Sequence, residues 1–374
     1  MSRSTQLSRR GFAQLLGTGA AYAAMHRSFV LSMPLRKTSV PAPTTGIVRL
    51  SSNENPYGPS PAALKAMSEA FSLAWRYPDE HADILGENLA RLHDVTSDQV
   101  MLGNGSSEIL KLAAATFTGP DRRLVIADPT FEAIARYAKT ARAEVIKVSL
   151  TPDYRHDLAK MMTYTKVGLV YVCNPNNPTA SITPKSEIRS FLAQIPPTTT
   201  VLVDEAYHHY VESPDYESVI GLVKHHSNLI VARTFSKIYG MAGLRCGYCI
   251  AHPTIIRQLR EQQPWDNVNI MALMAANASL PDKTYVEQGK QRNSDTRKYV
   301  YGELEKLSLR FIPSHANFLM IDLQRPARPI IAALAERKVE VGRVFPSLPN
   351  FLRVTIGTRT QMETFISEFR QVMV

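Results

Sequence analysis

The sequence predicts an α/β protein: a large, mostly parallel sheet packed between helices, with a smaller α/β unit attached. Three observations carry that expectation. Short, β-branched apolar runs recur from about residue 99, and each breaks into polar residues at its carboxyl end. Helical patterns such as "SSEILKLAAATF" and "TFEAIARYAKTA" lie between several of these runs. From about residue 281 a long charged helical pattern is followed by shorter strands. Continuous apolar strands alternating with helices require a sheet covered on both faces.

The 374 residues, 44% hydrophobic and 20% charged, suffice for one large domain and a smaller one. The net charge of +10 is concentrated at the start, where Arg3, Arg9, Arg10, Arg27, Arg36 and Lys37 face no acidic residue. The remainder shows no basic stripe, so a nucleic-acid partner is not expected. Three cysteines are too few for a disulfide framework. Cys246 and Cys249 lie three apart in "LRCGYCIA", which reads as a strand, so they point to opposite faces and pack as small core residues.

Taken in order, residues 1–45 read as a signal and arm. "SRRGFAQLLGTGAAYAAM" has paired arginines, a short apolar run and an A-x-A, which together resemble a twin-arginine export signal. The expectation is an exported protein, periplasmic or extracellular, whose mature chain begins near Ala24; the alternative is a cytoplasmic arm. The apolar run is too short for a membrane span. Residues 46–75 hold a short apolar run, a Pro/Gly/Asn loop and Ser60-Pro61, which has the form of a helix N-cap followed by proline. They are assigned to the small domain.

Residues 76–280 form the large domain. Its strands are read from "QVMLGNG", "RLVIADPTF", "VGLVYVCNPNNP", "TVLVDEAY" and "NLIVARTFSK". Residues 281–374 complete the small domain, with strands in "LRFIPSHANFLMIDL", "VEVGRVF" and "FLRVTIGT".

In open α/β sheets, sites form outside the carboxyl ends of the strands. Asp128, Asn177, Asp204 and Lys237 fall there. "GNGSSEI" is a glycine turn opening a helix, whose amides, with Ser106 and Ser107, suit a phosphate. Thr234, Ser236 and Arg245 add donors and a positive charge. Asp204, behind apolar residues, needs a cationic partner, which a protonated heteroaromatic nitrogen supplies. Tyr207 and Asn177 can bond a phenolate-like oxygen, Phe131 can stack on a flat ring, and Lys237 can condense with an aldehyde. Phosphate, ring nitrogen, ring oxygen, ring face and aldehyde together describe pyridoxal 5′-phosphate.

The ordered set "NENPYGPSP", "YPD", "GNGSSE", "DPTF", "NPNNPT", "VDEAY", "TFSK", "AGLRCGY" and "LRVTIGT" resembles the fold-type I, class I/II pyridoxal-phosphate-dependent aminotransferases, and within them the histidinol-phosphate aminotransferase group. The resemblance runs from about Leu50 to the C-terminus. It implies a seven-stranded type of sheet in the large domain, a small domain that closes over substrate, and a homodimer with shared active sites.

By the same resemblance, Lys237 is the Schiff-base lysine, Asp204 the partner of the pyridinium nitrogen, and Tyr207 and Asn177 the holders of the ring oxygen. Ser106, Ser107, Thr234, Ser236 and Arg245 match phosphate ligands, and Phe131 the ring-stacking aromatic. Tyr77 matches the tyrosine that reaches the phosphate of the neighbouring subunit. Arg353 matches the arginine for a substrate anion, Tyr57 lies at the substrate entrance, and Arg343 is a further candidate for substrate.

The implied reaction moves an amino group between an amino acid or histidinol-phosphate-like amino-alcohol phosphate and a 2-oxo acid. Decarboxylation, elimination or oxidation on the same scaffold is the alternative. Two departures bear on substrate: Ala180 replaces the glycine of "NPTG", and Gly342 intervenes before Arg343. His208 and His209 lack further ligands at metal spacing, so no metal is expected, with at most one of the two rings lining the pocket.

Overall fold

The computed structural model describes residues 46–373; the twin-arginine stretch lies outside the described residues. In chain order the described strands are β1 (Val48–Leu50), β2 (Val100–Gly103), β3 (Arg123–Asp128), β4 (Val145–Ser149), β5 (Val167–Cys173), β6 (Thr200–Asp204), β7 (Leu229–Thr234), β8 (Gly247–Ala251), β9 (Arg310–Ile312), β10 (Phe318–Asp322), β11 (Val339–Val341) and β12 (Phe351–Thr355).

Seven of them form one sheet in the order β2-β8-β7-β6-β5-β3-β4, and only β8 runs antiparallel to its neighbours. The five apolar runs read from the sequence are β2, β3, β5, β6 and β7, and every residue of β6 and β7 is buried. Burying each such Val, Leu or Ile contributes about 1.5–3 kcal/mol; of the five runs, β3, β5, β6 and β7 lie inside the sheet, while β2 stands at one edge. Strand β4 has no such run: in "VIKVS", Lys147 and Ser149 are exposed and the strand sits at the edge.

Side-chain alternation divides the core. Val170, Val172, Val201, Val203 and Val231 face one layer, while Leu169, Tyr171, Cys173, Leu202 and Ile230 face the other. Helices Ser106–Phe117 and Pro253–Arg260 cover the second face, and Lys185–Gln194 and Ile270–Ser279 the first. Cys246 joins the first layer and Cys249 the second, both as buried free thiols, so they are packing residues on opposite faces.

Residues before and after the large sheet build the second unit together. β1 pairs in parallel with β11, and β12, β10 and β9 form an antiparallel three-stranded sheet. Their apolar sides meet helices Ala327–Glu336 and Arg359–Met373 around Leu50, Leu319, Leu352, Phe365 and Phe369. Ser60 caps helix Pro61–Ala70 by accepting from the Ala63 amide at 3.2 Å, and that helix packs on Ile270–Ser279.

The loop between β1 and this helix crosses the carboxyl end of the large sheet, where Asn55 Nδ2 donates to the Ile238 carbonyl at 2.8 Å. No helix among the described residues is long and apolar enough to cross a membrane.

Candidate active site

The carboxyl ends of β5, β6 and β7, the start of helix Ser106–Phe117 and residues 52–53 enclose a cavity of about 230 Å³. Eleven of the residues expected from sequence line it: Ser106, Ser107, Phe131, Asn177, Asp204, Tyr207, Thr234, Ser236, Lys237, Arg245 and Arg353.

One end is built for an anion. The first amides of a helix have no intrahelical acceptor and carry the positive end of its dipole. Gly105 precedes Ser106 with φ 74°, and a Cβ there would stand 2.2 Å from Arg245 Nη2. Only glycine therefore lets the guanidinium approach this helix end. Arg245 Nη1 donates to Ala242 O at 2.9 Å and Ser236 Oγ at 3.4 Å, and among the described residues it meets no carboxylate. Thr234 Oγ1 lies 3.0 Å from Ser236 Oγ, so two hydroxyls flank the same corner.

The other end is built around a buried carboxylate. Asp204 Oδ2 accepts from the Tyr171 hydroxyl at 3.0 Å and Oδ1 from the Ala206 amide at 3.1 Å. Burial raises its pKa to about 6, against the pull of those two donors. Tyr207 Oη accepts from Asn53 Nδ2 at 3.2 Å and Asn177 Nδ2 at 3.4 Å, and burial holds this phenol above its ordinary range.

Lys237 follows β7 and reaches back between the two ends. Its Nζ donates to the carbonyls of Asn53 at 3.0 Å and Ser52 at 3.5 Å, and lies 5.4 Å from the Tyr207 ring. Burial first, and the Arg353 charge second, lower its pKa to about 8. The unprotonated, nucleophilic fraction at neutral pH is thereby raised by about 10²-fold over an ordinary lysine.

Arg353, on β12, donates from Nη1 to Asn177 Oδ1 at 2.8 Å and from Nη2 to Ser51 O at 2.7 Å. Its Nε is buried without a partner. Gly342 on the adjoining segment explains the shifted arginine: a Cβ there would lie 3.0 Å from Arg353 Cβ and 3.2 Å from its Nε.

Not every expected residue meets the cavity. Arg343 turns to Glu132 at 2.6 Å instead. Tyr57 is exposed beneath the Arg292 guanidinium, 4.9 Å away, and does not line the cavity. Tyr77 is 81% exposed. Asp128 is occupied by Lys147 and Ser347, because β3 ends one strand too far out. His208 and His209 lie against each other with ring centroids 3.7 Å apart and planes tilted by 45°, half-buried beside Tyr239, and neither lines the cavity. Ala180 keeps a left-handed φ of 59° while fully buried, a conformation glycine adopts with less strain.

Four residues near the site carried no role in the sequence reading. Tyr171 lies in an apolar run and reaches Asp204 through the pairing of β5 with β6, while Asn53 lies in a loop held against the site by Thr355. Glu205 and Arg233 form a buried ion pair at 2.8 Å, completed by Ser218 and the Val219 amide, directly behind Asp204.

These groups fit pyridoxal 5′-phosphate. A helix N-terminus, hydroxyls and an arginine lacking a carboxylate suit the phosphate, and a buried carboxylate lacking a cation suits the ring nitrogen. Two side chains meet at a phenol oxygen beside a nucleophilic amine, and Phe131 supplies an aromatic wall.

A family model described as aminotransferase class I and II matches residues 45–369. A histidinol-phosphate aminotransferase from Moorella thermoacetica is 41% identical over 352 residues, covering 93% of this chain and 91% of that protein. The crystal structure of the histidinol-phosphate aminotransferase from Clostridium acetobutylicum matches with a TM-score of 0.81 at 26% identity, over 87% of this chain and 98% of that one. The enzyme of that name from Sinorhizobium meliloti, solved in complex with pyridoxal 5′-phosphate, matches with a TM-score of 0.82 over 87% of this chain and 90% of that one. Its 24% identity speaks for the fold alone.

These matches correct the expectation of export. The relatives matched are histidinol-phosphate aminotransferases, which are cytoplasmic biosynthetic enzymes.

Proposed function

This chain belongs to the class I and II aminotransferases, and from that premise we propose that it transfers an amino group from a histidinol-phosphate-like amine or an amino acid to a 2-oxo acid, with Lys237 as its central residue. The observation that carries the reading is the single cavity holding a low-pKa lysine between a buried carboxylate and an arginine-and-helix anion site. The cofactor is pyridoxal 5′-phosphate, which when bound supplies an aldehyde to take up an amine and a protonated ring to withdraw electrons from the adjoining carbon.

The residues divide the work. Ser106, Ser107, Thr234, Ser236 and Arg245 hold the phosphate. Asp204 keeps a proton on the ring nitrogen, while Tyr207 and Asn177 bond the ring oxygen. Phe131 stacks on the ring face. Lys237 Nζ would be the covalent attachment point for the cofactor, and as a free amine it would move the proton at the substrate's Cα. Its lowered pKa suits both tasks near neutral pH.

Arg353 binds the substrate's anionic group, a carboxylate or a phosphate. Its unpartnered Nε and the two arms anchored on Asn177 and Ser51 present a fixed fork. Arg353→Ala is expected to raise KM for the anionic amino donor by about 10- to 100-fold, the loss of one or two charge-assisted bonds. Steady-state kinetics with the best donor check this; unchanged KM for every anionic donor removes Arg353 from the role.

A homodimer with shared active sites belongs to the same proposal. Phe71, Trp75, Tyr77 and Trp265 are 64%, 79%, 81% and 92% exposed, a concentration of aromatic surface suited to a second copy. Tyr77 would reach the partner's phosphate. We also assign residues 76–280 to the cofactor-binding domain, and residues 46–75 and 281–374 to a domain that closes over substrate.

The test is a donor screen with the cofactor-loaded protein. Stoichiometric pyridoxamine phosphate and oxo product from one donor support amino transfer. Carbon dioxide, ammonia or peroxide without pyridoxamine phosphate would assign the site to decarboxylation, elimination or oxidation, which share the lysine and the aspartate.

A further inference from the structure

We propose that Tyr171 is a positioning residue that keeps Asp204 ionised, so that the carboxylate can hold a cationic ring nitrogen. The proposal rests on the cofactor reading above and deepens it.

The geometry begins with strand register. β5 and β6 are parallel neighbours, with Tyr171 opposite Leu202 and Cys173 opposite Asp204. Residues two apart share a face, so Tyr171 and Asp204 both project into the layer covered by helix Ser106–Phe117. The phenol runs along that face and donates to Asp204 Oδ2 at 3.0 Å. Tyr171 is fully buried and Asp204 is 3% exposed, so water cannot replace the bond. The Ala206 amide takes Oδ1. An ionised carboxylate offers about four acceptor positions, so both oxygens retain capacity for a further donor.

Nothing else in the surroundings does this job. From β5 the Cys173 thiol donates to Pro175 O at 3.3 Å. Glu205, the residue that follows β6, is engaged by Arg233. Tyr207 accepts from Asn53 and Asn177. Lys237, the cation nearest in effect, donates to the carbonyls of Asn53 and Ser52. Among the side chains described here, Tyr171 alone hydrogen-bonds the Asp204 carboxylate.

The phenol is also a dependable donor. Burial and the Asp204 charge hold its pKa well above that of an ordinary tyrosine, so it keeps its proton at neutral pH. Asp204 titrates near 6 with this donor present. Without it, the carboxylate would titrate higher and be partly neutral at working pH.

Tyr171→Phe removes one oxygen and leaves the packing volume nearly unchanged. The measurement is pyridoxal 5′-phosphate affinity of full-length apoprotein by equilibrium dialysis, from about pH 5 to about pH 8. Wild type, Tyr171→Phe and Asp204→Asn are compared. The cofactor phosphate itself titrates near 6, so only differences between proteins are read.

The part of the pH dependence that Asp204→Asn abolishes is expected to move up by about one pH unit in Tyr171→Phe, a tenfold loss of affinity on the acid side. A bond that only tied the strands together would lower affinity at every pH alike and leave the inflection in place, and that result overturns the proposal. If Asp204→Asn removes no pH-dependent component, the reading of Asp204 fails and this proposal fails with it.

Should Tyr171→Phe fold poorly, 3-fluorotyrosine at position 171 gives the opposite sign. A more acidic phenol donates more strongly and should shift the inflection down. An unmoved inflection there also overturns the proposal.

Discussion

Lys237→Ala is expected to lose covalent attachment of the cofactor and more than about 10³-fold in turnover, because the proposed function gives one side chain the roles of both nucleophile and proton carrier. The substituted cavity should still take up pyridoxal 5′-phosphate. The phosphate corner of Ser106, Ser107 and Arg245 and the Asp204 carboxylate lie at other positions on the cavity wall. The signature is therefore a protein that binds the cofactor reversibly, without an imine absorbance, and turns over only at a residual rate. An imine band that persists in this variant would move the role to another amine.

Asp204→Asn is expected to separate stability from activity. Turnover should fall by about 10²- to 10³-fold, since a preorganised charge facing the reacting group is replaced by a neutral amide. The apoprotein should respond in the opposite direction. Folding raises the Asp204 pKa to about 6 from the ordinary carboxylate value. Its contribution to stability is thus fully present below the unfolded pKa and is lost as pH rises through about 6. Above that pH the ionised carboxylate strains the empty site, on the order of 3 kcal/mol for a shift of this size.

Asp204→Asn apoprotein should therefore melt higher than wild type at pH 7–8, and the gap should close below about pH 4. Melting curves at both pH values check the sign. A variant less stable at neutral pH would contradict burial as the source of the shift.

The contrast between these two residues and Tyr171 shows what the sequence makes legible. Lys237 and Asp204 are polar residues at the ends of apolar runs, so strand composition alone brings them to the carboxyl edge of the sheet. Tyr171 lies inside such a run. Its function depends on which strand lies beside β5 and in what register, and periodicity gives the face of a residue but not its neighbour. Asn53 is similar. It meets Tyr207 because β1 pairs with β11, 291 residues away in sequence (Val48 with Val339), and the following loop is carried across the large sheet.

The same limit explains the misplacements. Asp128 ends an apolar run as Asp204 does, but β3 lies outside β5 and its aspartate meets Lys147 and Ser347. Strand β4 gave no apolar signal, because an edge strand with Lys147 exposed has only one face to bury. Arg343 is a substrate candidate by the resemblance, yet Glu132 engages it. Cys246 and Cys249 were read correctly from spacing alone, since alternation along a strand is a local property.

The central claim is that Lys237 is the amine that carries pyridoxal 5′-phosphate in this cavity. Borohydride reduction of the cofactor-loaded protein, followed by proteolysis and mass mapping, tests it most directly. The account predicts one pyridoxyl group per chain, on the peptide containing Lys237, and none on that peptide from Lys237→Ala. A pyridoxyl group on a different lysine, or a fully loaded protein that reduction leaves unlabelled, would contradict it.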